Sequence, residues 1–251
     1  MPQDRCGEVV QPDPREAVLR ELYAYPAGRW LRANMVSTLD GAATGSDGLS
    51  GSLSSDADKR VFTVLRTLAD VVLVGAGTVR AERYGPEAPP PEFAARREAE
   101  GRPPAAPFAV VTRSGDVPTD TGLFDGDLGT MLMTCSAAGE PTLAQLRGLA
   151  GADCVIVAGA ESVDVPAALD ALADRGMRHV LCEGGPTLLA AVIEARALDE
   201  LCLTTSPVLA GGGARRIDAA RLAAEGLPAT PGTLLAGDDG SLIGRWLITA
   251  T

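Results

Sequence analysis

Two stretches decide the fold. Val71-Val72-Leu73-Val74 runs into Gly75-Ala76-Gly77-Thr78, and His179-Val180-Leu181-Cys182 runs into Glu183-Gly184-Gly185-Pro186-Thr187. Each is a short apolar run, as in a strand buried on both faces, followed by a small-residue turn that opens a helix. The first N–H groups of a helix lack intrahelical partners and its dipole is positive there, so such a junction is an anion site. One such turn is common. Two, about a hundred residues apart, point to one ligand with several phosphates and hence to a nucleotide cofactor.

Outward from these turns the pattern stays α/β. The 251 residues are 46% apolar but only 4% aromatic, so the core is built from Ala, Val and Leu. Asp13 to Tyr25 reads as an N-terminal helix, with Asp13 as N-cap and Pro14 at the first position. Trp30 to Ser37 reads as a strand ended by Asp40-Gly41, and the Gly-, Ser- and Ala-rich residues 42–53 suit a mobile loop. Ser55 or Ser54 then caps a helix from Asp56 to about Leu68, with Val61, Val64, Leu65 and Leu68 at helical spacing.

Residues 85–106, rich in proline and carrying Arg96-Arg97, read as a long solvated surface loop, or alternatively as a lid. Strand-like runs follow at 107–112, 130–134, 153–157, 178–182 and 199–206, with helices over 142–149, 165–175 and 186–195. Leu242 to Ile248 form a closing strand. Strands alternating with helices argue for one sheet covered on both faces. A chain ending in strands makes that sheet mixed.

Composition excludes several chemistries. The net charge of −11 argues against nucleic-acid binding, which needs a basic footprint. The single histidine, His179, leaves Ser-His-Asp catalysis, HExxH zinc chemistry and His-ligated metals without their parts. It reads as structural. The five cysteines form no CxxC pair and read as reduced buried thiols, so no metal is expected. No apolar run reaches the 18 or so residues needed to span a bilayer. The polar N-terminus lacks the apolar core of a signal peptide, and a cytoplasmic protein is expected.

Gly75-Ala76-Gly77-Thr78-Val79-Arg80 matches only the first two glycines of GxGxxG. No acidic residue closes a second strand downstream, so the Rossmann fingerprint fails on its own context.

Five segments occur in a distinctive order: Asn34-Met35-Val36-Ser37-Thr38-Leu39-Asp40-Gly41, Val64-Leu65-Arg66, Val74 to Arg80, Glu183 to Thr187, and Pro207-Val208-Leu209-Ala210-Gly211-Gly212-Gly213. Together, over roughly residues 28 to 250, they resemble the reductase domain of the riboflavin-biosynthesis deaminase/reductase family. The resemblance implies a dihydrofolate reductase-like three-layer α/β/α sandwich around a mixed, mostly parallel sheet. It implies a single reductase domain over 29–251 after an N-terminal arm and helix over 1–28, and a homodimer. Neither an HxE nor a PCxxC element of a zinc deaminase is present, so a stand-alone reductase is expected.

The activity implied is NADPH-dependent reduction of 5-amino-6-(5-phosphoribosylamino)uracil or a close relative at ribose C1′, giving the ribityl product. Another heterocycle such as dihydrofolate is the alternative, and a non-catalytic NADP-binding regulatory protein is the alternative of another class.

By the same resemblance, Gly75, Ala76, Gly77, Thr78 and Val79 form one pyrophosphate turn, and Gly184, Gly185, Pro186, Thr187 and Leu188 the other. Val36 and Ser37 line the nicotinamide, Arg113 and Ser114 take the 2′-phosphate, and Ser52 and Glu82 join the cofactor contacts. Asn34, Ser50, Arg66, Arg83 and Glu183 fall to the substrate, Ser50 and Arg66 at its sugar phosphate. Asp40, beside the nicotinamide, and Glu183 carry the catalytic roles. For Arg66 the plain alternative is a surface salt bridge; for Asp40 it is Asp-Gly turn chemistry. Departures from the family pattern cluster on the substrate side: Ala42 replaces a basic residue, Ser52 a Trp, and Ala81-Glu82-Arg83-Tyr84 the usual Ala-Asp-Asn-Pro or Ala-Asp-Asp-Pro, with the proline-rich insert following directly.

Overall fold

The computed structural model describes residues 16–85, 88–125, 129–211, 215–217 and 226–249. Asp13, Pro14, Gly212 and Gly213, read above, and Cys6, one of the five cysteines, lie outside them. Nine strands form one sheet among the described residues: β1 (Trp30–Thr38), β2 (Val71–Gly75), β3 (Phe108–Val111), β4 (Met131–Thr134), β5 (Val155–Val157), β6 (His179–Cys182), β7 (Glu200–Ser206), β8 (Ala229–Ala236) and β9 (Leu242–Ile248). Their spatial order is β5-β4-β3-β2-β6-β1-β7-β9-β8. All pairings from β5 to β7 are parallel, and β9 runs antiparallel to both β7 and β8. The sheet is mixed and mostly parallel, as expected.

Among the described residues seven α-helices cover it: α1 (Glu16–Leu22), α2 (Asp56–Leu68), α3 (Ala76–Glu82), α4 (Pro91–Ala99), α5 (Gly139–Ala150), α6 (Val165–Ala173) and α7 (Pro186–Glu194). Alternation along β2 shows how three layers arise. Val72 and Val74 join one core with Leu19 of α1, Leu65 of α2, Phe93 of α4 and Leu146 of α5. Val71 and Leu73 join the other with Leu169 of α6 and Leu189 of α7. Successive side chains of a strand point to opposite faces, so a continuous apolar run serves both. Ser55 is the N-cap of α2, its side chain accepting from the Asp58 N–H. His179 stacks on the Tyr25 ring at 4.6 Å.

Two expectations need correction, and one strand is hidden in the sequence. The proline-rich segment is neither structureless nor wholly solvated: Pro91 begins α4 at N1, where the missing N–H costs nothing. Phe93 is buried in the core, and Arg97 is 1% exposed. The Arg97 guanidinium donates to the carbonyls of Thr67, Ala69 and Pro103 at 2.7–2.8 Å, tying the insert to the end of α2. Arg97→Ala is expected to lower the unfolding free energy by about 2–3 kcal/mol in urea denaturation, since buried carbonyls lose a charged donor. The Gly/Ser-rich segment 42–53 is a loop, with Ala42 and Ala43 buried and a 3-10 turn at Gly51–Leu53. The N-terminal helix stops at Leu22. Pro231 and Gly232 conceal β8 in the sequence; as an edge strand with a register shift there, it tolerates both.

Candidate active site

The two glycine turns touch. β2 and β6 are neighbours, with Leu73 paired to Cys182, so their turns emerge side by side. The Gly75 N–H donates to the Gly184 carbonyl at 2.8 Å. Gly75 caps α3 and Gly185 caps α7, neither through a side chain, which leaves the first-turn N–H groups of both helices to a ligand. Glycine is required here by space. Gly184 has φ +78°, and a Cβ there meets Met35 Sδ at 3.1 Å; a Cβ on Gly185 comes within 2.7 Å of Thr78 Oγ1.

Beside the turns opens a cavity of about 1020 Å³. Of the residues read from the sequence, its wall contains Asn34, Val36, Ser50, Arg66, Gly75, Gly77, Thr78, Glu82, Arg83, Glu183, Gly185, Pro186, Thr187 and Leu188. Gly77 also borders a second, open recess of about 520 Å³, which holds Ala76, Arg80, Arg113 and Ser114. Val79 is fully buried in the core and Ser37 is 5% exposed; neither lines the cavity. Ser52 is spent on a surface turn, its hydroxyl donating to Asp47 and to the Leu49 carbonyl.

The substrate-side residues are tied to one another. Arg66 projects from the last turn of α2 and donates through Nε and Nη2 to the two Glu183 carboxylate oxygens, each at 2.8 Å. Glu183 is 2% exposed at its side chain and Arg66 19%. The guanidinium lies 4.3 Å from the Phe62 ring centre, 5.2 Å from Tyr84 and 5.5 Å from Phe108. Burial, with the Glu183 carboxylate nearby, holds the Tyr84 hydroxyl well above the usual phenol range. Arg66 thus forms a salt bridge, as its plain alternative has it, but one that faces the cavity rather than open surface. Two of its donors serve Glu183 rather than a phosphate.

Ser50 and Glu82 also pair, the Ser50 N–H and hydroxyl both donating to Glu82 Oε1 at 2.8 Å. Arg83 sits on the rim in the left-handed region, φ +53°, and meets Asp120 at 3.1 Å.

Asp40 sits in a tight hydrogen-bonded turn. Its carboxylate accepts from the Thr38 hydroxyl and from the N–H groups of Ala210 and Gly211, at 3.1 and 2.8 Å. Those bonds, the Thr38 hydroxyl foremost, hold its pKa down to about 2. Asp40 does not line the cavity. It clamps the turn after β1 to the segment after β7, the turn chemistry its Asp-Gly pair suggests.

The cavity also contains groups that sequence reasoning missed: Asp58, Lys59, Phe62 and Thr63 on the inward face of α2, Tyr84, and Arg215. One signal was available. Asp58 stands three residues before Val61, on the apolar stripe of α2, although three residues after the Ser55 cap an acid also suits the helix N-terminus.

With this geometry in place, the comparisons are specific. Residues 29–224 match the RibD C-terminal domain. The 2,5-diamino-6-ribosylamino-4(3H)-pyrimidinone 5′-phosphate reductase of Archaeoglobus fulgidus is 27% identical over 71% of this chain and 80% of its own length. The riboflavin biosynthesis protein RibD of Mycobacterium tuberculosis is 28% identical over 81% of this chain, which spans about half, 49%, of that longer protein. A pyrimidine reductase-like protein from Corynebacterium diphtheriae shares the fold, with a TM-score of 0.82, 24% identity and coverage of 93% of this chain and 99% of its own. With joined glycine turns, a buried Arg–Glu pair and a match over most of its length, the chain belongs to the RibD C-terminal domain family.

Proposed function

We propose that the protein is a pyrimidine reductase of riboflavin biosynthesis. It uses NADPH to reduce 5-amino-6-(5-phosphoribosylamino)uracil, or the related 2,5-diamino-6-ribosylamino-4(3H)-pyrimidinone 5′-phosphate, at ribose C1′. The observation that carries the reading is the meeting of the two glycine turns over a cavity walled by the Arg66–Glu183 pair. The residues present fit a dinucleotide. The space a Gly185 Cβ would fill is already bounded by Thr78, and two helix N-termini offer N–H groups where a pyrophosphate would lie. When bound, NADPH supplies the hydride; the protein's contribution is placement and electrostatics.

Each residue then has a task. Thr78 and the turns around Gly75 and Gly185 hold the pyrophosphate. Arg113 and Ser114, in the recess that Gly77 shares with the main cavity, take the 2′-phosphate. Glu183 accepts hydrogen bonds from the amino groups of the pyrimidine, and Arg66 fixes the carboxylate that does so. Lys59 adds positive charge on the same wall for the sugar phosphate. The reading extends to a single reductase domain over 29–251, a cytoplasmic location and a homodimer. Among the described residues, no helix is long and apolar enough to cross a membrane.

The direct test is steady-state NADPH oxidation with each of the two pyrimidines and with dihydrofolate. Turnover of a pyrimidine, with the ribityl product identified, is the expected result. Turnover of dihydrofolate alone would replace the substrate, and cofactor binding without turnover would favour a regulatory protein. Arg113→Ala is expected to raise the Kd for NADPH about tenfold, the worth of one charge-assisted contact, and to leave that for NADH unchanged.

A further inference from the structure

Asp58 is the buried acid that neither the glycine turns nor the Arg66–Glu183 pair accounts for. It lies in the first turn of α2 and is 5% exposed, yet it lines the cavity. Its Oδ1 accepts from the Thr204 hydroxyl at 2.5 Å. Thr204 fixes its position along the site. In the β1–β7 ladder Thr204 stands opposite Val36, the residue whose backbone is assigned to the nicotinamide. The carboxyl group thus reaches the cavity beside the strand at which hydride transfer is placed.

We infer that Asp58 is the general acid of the reduction, delivering a proton to the ribose ring oxygen of the substrate. This deepens the pyrimidine reductase reading and rests on it. The Asp58 proton passes to the ring oxygen as the C1′–O bond breaks, its electron pair going to that oxygen. The amino nitrogen on C1′ forms the iminium, C1′ accepts the hydride that NADPH provides, and solvent reprotonates Asp58. One substrate, one NADPH and one proton give the ribityl amine and NADP⁺.

Electrostatics suits the task. Desolvation raises the pKa of Asp58 against the opposing effects of Thr204 and Ser54. Lys59 beside it lowers the value, and Asp239, in the turn before β9, raises it. A buried carboxyl that stays protonated closer to neutrality is the form a general acid needs. As the acid acts in its protonated form, kcat falls as pH rises through its pKa.

The experiment compares wild type, Asp58→Asn and Thr204→Val by kcat against pH, with NADPH affinity measured by fluorescence titration. Asp58→Asn is expected to lower kcat about a hundredfold, to abolish the basic limb of the profile and to leave the Kd for NADPH within twofold. Thr204→Val removes a donor that favours the carboxylate, so its basic limb moves to higher pH; this variant carries the test should Asp58→Asn fail to fold. A wild-type profile in Asp58→Asn with only a lowered melting temperature, or an unmoved limb in Thr204→Val, overturns the assignment. Failure of the wild type to reduce either pyrimidine overturns the functional reading itself, and the inference with it.

Discussion

Glu183→Gln is expected to cut kcat/KM for the pyrimidine substrate about a thousandfold, equivalent to ~4 kcal/mol, because breaking a nearly buried ion pair strands its partner. The Gln keeps the size of the side chain and loses the charge. Arg66 then remains among Phe62, Tyr84 and Phe108 without the Glu183 carboxylate in its fork. These rings tolerate a guanidinium through their faces, but they cannot replace two charge-assisted hydrogen bonds. Arg66→Ala is expected to fall by a similar factor, since it leaves the Glu183 carboxylate buried and unmatched by its cation. The discriminating measurement is a double-mutant cycle over Arg66→Ala, Glu183→Ala and the pair. A double variant no worse than either single one identifies the two as one device. Additive losses would show two independent contributions and return Arg66 to a direct substrate contact.

The second large effect concerns stability at the opposite end of β1. Glu200 is fully buried and accepts from Arg32 through Nε at 2.7 Å and Nη2 at 3.2 Å, from Arg245 at 2.8 and 3.2 Å, and from the Trp30 indole at 3.0 Å. Arg32 is itself fully buried and lies 4.1 Å from the Tyr25 ring. Glu200→Ala leaves a buried guanidinium and a half-buried one without their carboxylate, and is expected to cost ~3–5 kcal/mol of unfolding free energy. Chemical denaturation measures this, and a loss under 1 kcal/mol would rule out the network as a stabilising unit.

The same residue sets an acid limb. Burial pushes its pKa up, but Arg32 and Arg245 outweigh it, so the folded-state pKa lies below the usual carboxylate value. A depressed pKa contributes stability above the unfolded-state value of about 4.3, and that contribution is lost as pH falls through the folded-state value. Wild-type stability should therefore decline below about pH 4.3, and Glu200→Gln should show less of that decline. The variant sits far from the glycine turns, so its folded fraction should bind NADPH as wild type does.

Legibility from sequence followed the range of the interactions involved. β2, β6 and the N-cap of α2 depend on periodicity and on neighbours within a few residues, and each was read near its observed bounds. Residues 85–106 misled because proline marks a helix start as well as a loop; only the burial of Phe93 and Arg97 against α2 distinguishes the two. Asp40 reads as a turn residue from its Asp-Gly pair, but half of what holds it is invisible along the chain. Its second partner, the Ala210–Gly211 backbone, lies 170 residues away.

By itself the sequence determined an α/β chain with two strand–turn–helix junctions suited to phosphate, because turn geometry and strand burial are local consequences of glycine, proline and apolar spacing. Tertiary structure alone decided which polar side chains share one cavity. Arg66 and Glu183 are 117 residues apart, and Asp58 and Thr204 are 146. No pattern along the chain encodes such pairs; they meet only because β6 is inserted between β1 and β2 and α2 is laid across the sheet, and the low dielectric there makes each pairing strong.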